Sequence, residues 1–241
     1  MSFLLFPPRR RQRDDLGVRR FAVGLSLALL AWNNLVHLLP GASAAYVPLN
    51  LAAAAAVTAA ARRHGLSAWD LGLRRDRLGA GARWGGAVAA VVAGALAVAS
   101  AVPALHPLLD DARVRRLPPG AVVYHAFVRI PIGTVLFEEV AFRGALFGVL
   151  AHSSGRVRAA LASSVVFGLW HVRPTLGLLD ANDVADDPAA RAGAVAVAVL
   201  ATAAGGVCLC ALRVRSASTL APIIAHTSTN SLGLLASAVT R

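Results

Sequence analysis

The sequence predicts an all-α protein, a bundle of about seven to eight membrane-spanning helices around a polar cavity inside the membrane. The first observation behind this prediction is composition, because 57% of the 241 residues are hydrophobic, 15% are charged, and the mean hydropathy is +0.63. Such values are typical of integral membrane proteins. The second is that most apolar stretches reach the roughly 20 residues that a helix needs to cross a hydrocarbon core. The third is that a few acidic, histidine and amide side chains interrupt these stretches, which predicts a shared polar interior.

Seven apolar stretches are the candidate spans, and together they make residues 21–241 a single transmembrane domain. In chain order they are residues 21–39, 42–61, 84–105, 121–150, 159–170, 192–212 and 219–239. The fourth stretch is long, and a break at Pro131 would divide it into two spans. The fifth is short, so it either extends to about residue 178 or lies buried among other helices.

The arginine positions predict how the bundle is oriented. The chain contains no lysine, so its formal net charge of +12 rests on arginine alone. With the N-terminus in the cytoplasm, six arginines lie in the opposite segments and sixteen lie in the cytoplasmic segments, residues 1–20, 62–83, 151–158 and 213–218. This excess follows the positive-inside rule, which explains the basic charge without a nucleic-acid partner. We expect a multi-pass protein of the cell membrane with residues 1–20 as a basic cytoplasmic segment.

The first apolar stretch also has features of a cleaved signal peptide. Arg19 and Arg20 precede the apolar run, and Ala42-Ser43-Ala44 after it resembles a cleavage site. However, the run is longer than the usual apolar core of a signal peptide, and a second apolar stretch follows immediately. A retained membrane anchor is therefore the favoured interpretation.

Glu138 and Glu139 are the only glutamates in the chain, and they lie side by side within the apolar residues 131–150. One ionised residue at the centre of a spanning helix costs about 2.5–3.5 kcal/mol, so two adjacent acids require compensating partners. Arg143 follows Glu139 by four residues and shares its helix face, whereas Glu138 points about 100° away. This spacing predicts that Glu139 and Arg143 form a supporting ion pair and that Glu138 is free for chemistry.

Two further polar clusters interrupt apolar stretches. In the first, Phe167 precedes His171 by one helical turn, and in the second, His226 and Asn230 share one face of the last stretch. Taken separately, each cluster is explained by an interfacial histidine or by hydrogen bonds between helices. Taken together with Glu138, they supply the components of a water-activating hydrolase. Glu138 would act as general base, His171 would share the water or pass the proton on to a leaving amine, and His226 with Asn230 would stabilise an oxyanion.

The order of these clusters resembles the CPBP family, which includes the CAAX-type prenyl endopeptidases and the bacteriocin-processing or self-immunity proteins called Abi. The family's three motifs, EExxFRG, FxxxH and HxxxN, match residues 138–144, 167–171 and 226–230. Residues 69–74 also look like a segment found upstream of these motifs in bacterial members. The resemblance covers a motif-bearing core of about residues 120–240.

The resemblance implies a glutamate-dependent intramembrane endopeptidase that uses neither a metal ion nor another cofactor. The implied site residues are Glu138 and His171 for activating water, His226 and Asn230 for the oxyanion hole, and Glu139 and Arg143 as support. Every motif position is matched, so nothing in the chain indicates an inactive site. The expected partners are the lipid bilayer and a peptide or membrane-protein substrate.

Three alternatives remain open from the sequence. Glu138, His171 and His226 would supply three ligands for a catalytic zinc site, although no HExxH motif is present. A non-enzymatic immunity or scaffold protein is the second alternative, and a transporter with a proton relay is the third. The lysine-free, alanine-rich composition is typical of a high-GC bacterium, which favours a bacteriocin precursor, a peptide pheromone or a membrane-anchored regulator as substrate. The oligomeric state is open.

Overall fold

The computed structural model describes residues 15–36, 40–184 and 187–241. Within these residues there is no strand, so the predicted all-α class is confirmed. The longer helices, in chain order, are α1 Asp15–Leu35, α2 Tyr46–Arg63, α3 Leu78–Ala101, α4 Pro119–Ser154, α5 Arg156–Trp170, α6 Val172–Ala181, α7 Pro188–Ser216 and α8 at residues 220–239. Short helical turns at Arg75–Arg77, Pro103–Leu108 and Ala112–Arg115 connect some of them.

Three helices in the described part of the chain are long and apolar enough to cross a membrane. They are Arg75–Ala101, Pro119–Ser154 and Pro188–Ser216. Each of the other predicted stretches also contains a helix, but the predicted number of seven to eight spans stays a prediction. Residues 37–39 at the end of the first stretch, and most of the predicted basic segment 1–20, lie outside the described residues.

Helix α4 runs through Pro131 without a break, so the division of this stretch at Pro131 is not observed. Proline removes a backbone donor from the helix ladder, and here it falls within a π-helical segment, His125–Val135. A second π-helical segment, Val140–Leu146, lies on the other side of the two glutamates. Such wide turns within helices are frequent at functional sites. The helix has 36 residues, well above the roughly 20 that cross a hydrocarbon core.

The short fifth stretch ends where the structure places a break. Helix α5 stops at Trp170, His171 has non-helical dihedral angles, and α6 continues from Val172. The predicted extension of this stretch to about residue 178 is therefore present as two consecutive helices, α5 and α6, with His171 at their junction.

Close packing between helices depends on small residues, as expected for helices that lack a hydrophobic driving force in lipid. A Cβ atom on Gly168 of α5 would lie 2.6 Å from the carbonyl oxygen of Val199 in α7. Likewise, a Cβ atom on Gly85 of α3 would lie 2.8 Å from the carbonyl oxygen of Ala221 in α8. Both contacts bring whole helices together and thereby position the polar residues that they carry.

The connection between α2 and α3 is tied to the turn between α7 and α8. Thr219 donates hydrogen bonds from its backbone N–H to the carbonyl of Gly72, at 2.9 Å, and from its Oγ1 to the carbonyl of Leu71, at 2.7 Å. Arg213 Nη2 donates to the carbonyls of Trp69 and Asp70, each at 3.0 Å. These bonds fix residues 69–72 against the end of the bundle.

Asp70 in this connection also contacts the C-terminal end of α4. Its Oδ1 lies 2.9 Å from His152 Nε2, and its Oδ2 accepts hydrogen bonds from the backbone and hydroxyl of Ser67 at 2.7 and 2.6 Å. Burial of the side chain raises the pKa of Asp70, but the hydrogen bonds from His152 and Ser67 outweigh it and lower the pKa to about 2.

Candidate active site

The two glutamates lie near the middle of α4, in the α-helical turn Leu136–Glu139 between the two π-helical segments. Glu139 is fully buried, and the Glu138 side chain is 7% exposed. The Glu139–Arg143 ion pair is present, because Arg143 Nη1 lies 3.0 Å from Glu139 Oε1. Both side chains are excluded from water, so neither charge is compatible with burial without the other.

Arg143 occupies a compact pocket between α4, α5 and α7. Its guanidinium carbon lies 4.0 Å from the centre of the Phe167 ring, which is within cation–π range. A Cβ atom on Gly206 of α7 would approach Arg143 Nη2 to 3.3 Å and Ser164 Oγ to 2.9 Å. Glycine at position 206 therefore leaves the space that the buried guanidinium fills.

Glu139 has a second partner that spacing along the chain did not indicate. His226 Nδ1, on α8, donates to the same oxygen, Glu139 Oε1, at 2.7 Å. One carboxylate thus connects Arg143 on its own helix with His226 on another. Because Nδ1 is held by Glu139, Nε2 is the ring nitrogen that faces the remaining polar residues.

His226 Nε2 meets the two other groups that the sequence predicted for the site. Asn230 Nδ2 lies 3.1 Å away, as expected for residues four apart on one helix face. Glu138 Oε2 lies 3.8 Å away. The structure therefore brings Glu138, His226 and Asn230 together from α4 and α8.

The two carboxylate oxygens of Glu138 have different surroundings. Oε1 accepts a hydrogen bond from the indole nitrogen of Trp170, at 3.1 Å. Oε2 is buried and has no hydrogen-bond partner among the described residues. An unsatisfied buried carboxylate oxygen is unfavourable, and this one points towards His226. It is the oxygen available for accepting a proton.

His171 lies beside this group without joining its hydrogen bonds. Its Nδ1 is 2.7 Å from the carbonyl oxygen of Phe167, one turn earlier in the chain. The Phe167 ring contacts both imidazoles edge-on, with centroid distances of 4.5 Å to His171 and 6.0 Å to His226. The structure therefore places His171 one aromatic ring from His226, half-buried at the junction of α5 and α6.

The residues proposed as zinc ligands do not form a metal-binding group. In the described ranges, no cluster of three or more His, Cys, Asp and Glu side chains is arranged to hold a metal ion. His171 directs Nδ1 to its own helix, and His226 directs Nδ1 to Glu139. Such Nδ1 contacts also orient metal-bound histidines that bind through Nε2, so the observation that bears on the zinc alternative is the absence of a three-residue cluster among the described residues.

Comparison with known proteins agrees with the resemblance drawn from the motif order. Residues 120–232 match the family model described as type II CAAX prenyl endopeptidase Rce1-like. Residues 120–232 are therefore similar to the Rce1-like family. No curated protein and no solved structure matches the chain.

The matched region contains every residue that the sequence predicted for the site, from Glu138 to Asn230. The family is one of proteases, and the match together with the three long apolar helices indicates a membrane location. Helices α1, α2 and α3 precede the matched residues. Helix α1 nevertheless contacts the matched region closely, because Asn33 donates to the carbonyl of Trp170 at 2.6 Å.

Proposed function

We propose that this protein is an intramembrane endopeptidase in which Glu138 activates a water molecule that hydrolyses a peptide bond, without a metal ion. One observation carries the proposal above the others. Within the region that matches the Rce1-like family, the unpartnered oxygen of Glu138 lies 3.8 Å from His226 Nε2, in a buried position. A base and an imidazole nitrogen that donates when the ring is protonated thus face the same small space, which suits attack by water.

In the proposed reaction, Glu138 Oε2 takes a proton from water as the water oxygen attacks the carbonyl carbon of the peptide. The new C–O bond forms, and the carbonyl oxygen becomes an oxyanion that His226 and Asn230 stabilise. Collapse of this intermediate breaks the C–N bond, and the proton passes to the leaving amine. The products are a carboxylic acid and an amine, and Glu138 is regenerated as the carboxylate.

His171 is proposed to share the attacking water or to carry the proton to the leaving amine. Its Nδ1 is engaged with the carbonyl of Phe167, which leaves Nε2 as the nitrogen for this transfer. Glu139 and Arg143 are proposed as support, because they hold His226 in place from the side opposite Glu138.

The proposed setting is a multi-pass arrangement of seven to eight membrane-spanning helices with the N-terminus in the cytoplasm. The arginine distribution supports this orientation. The proposed substrates are peptides or membrane-anchored proteins, since Glu138 and His226 are buried and Glu138 lies on a helix long and apolar enough to cross a membrane.

Cleavage of a defined peptide by the purified protein in lipid nanodiscs tests this function. The probe is an S-farnesylated peptide with a CAAX C-terminus, carrying a fluorophore and a quencher on opposite sides of the scissile bond. We expect wild type to cleave it and the variants Glu138→Ala and His226→Ala to cleave it more than about 100-fold more slowly while unfolding at wild-type temperatures. Equal activity in wild type and Glu138→Ala refutes the proposal.

The same assay separates the alternatives. Loss of activity after chelation, together with zinc in the purified protein, favours a zinc peptidase. If wild type leaves the probe intact, the membrane proteomes of cells with wild type and with Glu138→Gln are compared for accumulated precursors. An unchanged proteome and a full biological effect of Glu138→Gln indicate a non-enzymatic protein.

A further inference from the structure

Trp170 contacts the catalytic glutamate directly, which its position next to His171 in the sequence does not reveal. Its side chain is buried, and its ring packs between Phe137 and Phe142 of α4, with centroid distances of 5.9 and 5.5 Å. The indole N–H is thereby aimed at Glu138 Oε1, at 3.1 Å. A hydrogen bond to a charged acceptor in a buried, apolar setting is stronger than its counterpart in water.

Trp170 is itself held by a residue from a distant part of the chain. As the last residue of α5, it has a carbonyl without a partner in its own helix. Asn33 of α1 supplies the donor, at 2.6 Å from Nδ2 to the Trp170 oxygen, and it is 8% exposed. Because His171 is the next residue, the same hydrogen bond also fixes the backbone at His171.

We propose that Trp170 and Asn33 are positioning residues of the catalytic glutamate. Trp170 holds Glu138 through Oε1, so that Oε2 is the oxygen left to receive the proton from water. Asn33 holds Trp170, so that helix α1, which lies outside the matched region, completes the site. This inference rests on the proposed function of Glu138 as general base.

Substituting Trp170 by phenylalanine removes the N–H and keeps an aromatic ring for packing. We expect kcat on the farnesylated probe to fall about tenfold to 100-fold, the range for losing a hydrogen bond to a charged group. The KM should change by less than about threefold, because the bond acts on the reacting carboxylate and not on substrate binding. Asn33→Ala should also lower kcat, by about three- to tenfold, since Asn33 acts through Trp170.

Asn34 provides the matched control. It is adjacent to Asn33, but it is exposed and donates to the carbonyl of Leu30 in its own helix. Asn34→Ala should keep the wild-type kcat and KM. A merely structural role for Asn33 would instead lower the unfolding temperature without separating kcat from KM.

A second measurement detects the hydrogen bond between Trp170 and Glu138 without relying on an activity assay. The chain has four tryptophans, so the indole N–H signals in a 15N-labelled sample are assigned by single Trp→Phe variants. We expect Glu138→Ala to move the Trp170 proton signal upfield and to leave that of Trp84, which lies on α3 beside Arg215, unchanged. An unmoved Trp170 signal overturns the proposal.

The outcomes separate this inference from the function on which it rests. A folded Trp170→Phe variant with wild-type kcat overturns the positioning role while leaving the peptidase proposal intact. A wild-type protein that cleaves nothing overturns the peptidase proposal, and the Trp170 signal then decides whether the contact exists. If Trp170→Phe does not fold, the kcat of Asn33→Ala is compared with that of Asn34→Ala. Equal kcat values for these two variants overturn the inference.

Discussion

Glu139 accepts a hydrogen bond from His226, which lies 87 residues further along the chain, with 2.7 Å between Oε1 and Nδ1. The same oxygen accepts from Arg143 at 3.0 Å. The second glutamate of the EE pair is therefore more than the counter-ion of the motif arginine. It sets the direction in which His226 presents Nε2 to Glu138 and Asn230.

The coupling between Glu139 and His226 is measured with a double-mutant cycle. Glu139→Gln keeps the size of the side chain but removes the charge that both donors bond, so we expect kcat to fall about tenfold to 100-fold. In a His226→Ala background, Glu139→Gln should change the residual rate very little, because its effect acts through the imidazole. Additive losses in the double variant would show that the two residues act independently.

The buried ion pair has a different signature in stability. Arg143→Met leaves Glu139 buried without its cation, and we expect the free energy of unfolding to fall by about 3–5 kcal/mol. Replacing both partners, in Glu139→Leu with Arg143→Met, should recover part of this loss because no lone charge stays buried. The double variant should nevertheless remain inactive, since His226 has lost its acceptor. Thermal unfolding in detergent measures the effect, and a wild-type unfolding temperature for Arg143→Met contradicts it.

The Asp70 contacts predict a pH dependence outside the membrane-spanning segments. The pKa of Asp70 is about 2, below the usual 3.8 of an aspartate, so the folded state favours the carboxylate. Its contribution to stability is fully present above about pH 3.8 and is lost as the pH falls towards about 2, and we estimate about 1–2 kcal/mol.

Asp70→Asn removes this contribution. We expect it to lower the unfolding temperature at pH 6 and to match wild type near pH 2. Asp76→Asn is the control, because Asp76 lies on the same connection but forms an exposed pair with Arg74, which is worth little. A constant difference between Asp70→Asn and wild type across this pH range would contradict the assignment.

Gly72 holds the connection in a conformation that other residues rarely adopt. Its φ is +68°, and an added Cβ atom would lie 2.3 Å from Arg213 Nε. We expect Gly72→Ala to destabilise the protein by more than about 2 kcal/mol, since backbone strain adds to displacement of Arg213. Gly41 has φ +75° in open space, so Gly41→Ala should cost only the strain, about 1 kcal/mol. Equal unfolding temperatures for the two variants would rule out the steric contribution.

Spacing along the chain was sufficient where both partners share a helix. The contacts of Glu139 with Arg143 and of His226 with Asn230, each four residues apart, are present as expected from helix geometry. The positions and lengths of the apolar stretches likewise indicated where the helices lie. Neither kind of pattern shows how helices pack against one another, so the contact between Glu139 and His226 could not be read from the sequence.

Trp170 and Asn33 illustrate the same limit. A tryptophan and an asparagine inside apolar stretches signal that each needs a hydrogen-bond partner, but not which one. The partner of Trp170 is Glu138 on α4, and the partner of Asn33 is a carbonyl on α5. Pro131 shows the converse, because a residue that usually breaks helices lies within a continuous one whose turns are widened.

The most direct test of the catalytic role of Glu138 is the rate at which wild type and Glu138→Gln cleave the same farnesylated peptide in the same nanodiscs. Glutamine keeps the shape of the side chain and an oxygen for Trp170, but it cannot take a proton from water. We expect the rate to fall by more than about 100-fold at an unchanged unfolding temperature. Cleavage by Glu138→Gln at the wild-type rate would contradict a glutamate-activated water.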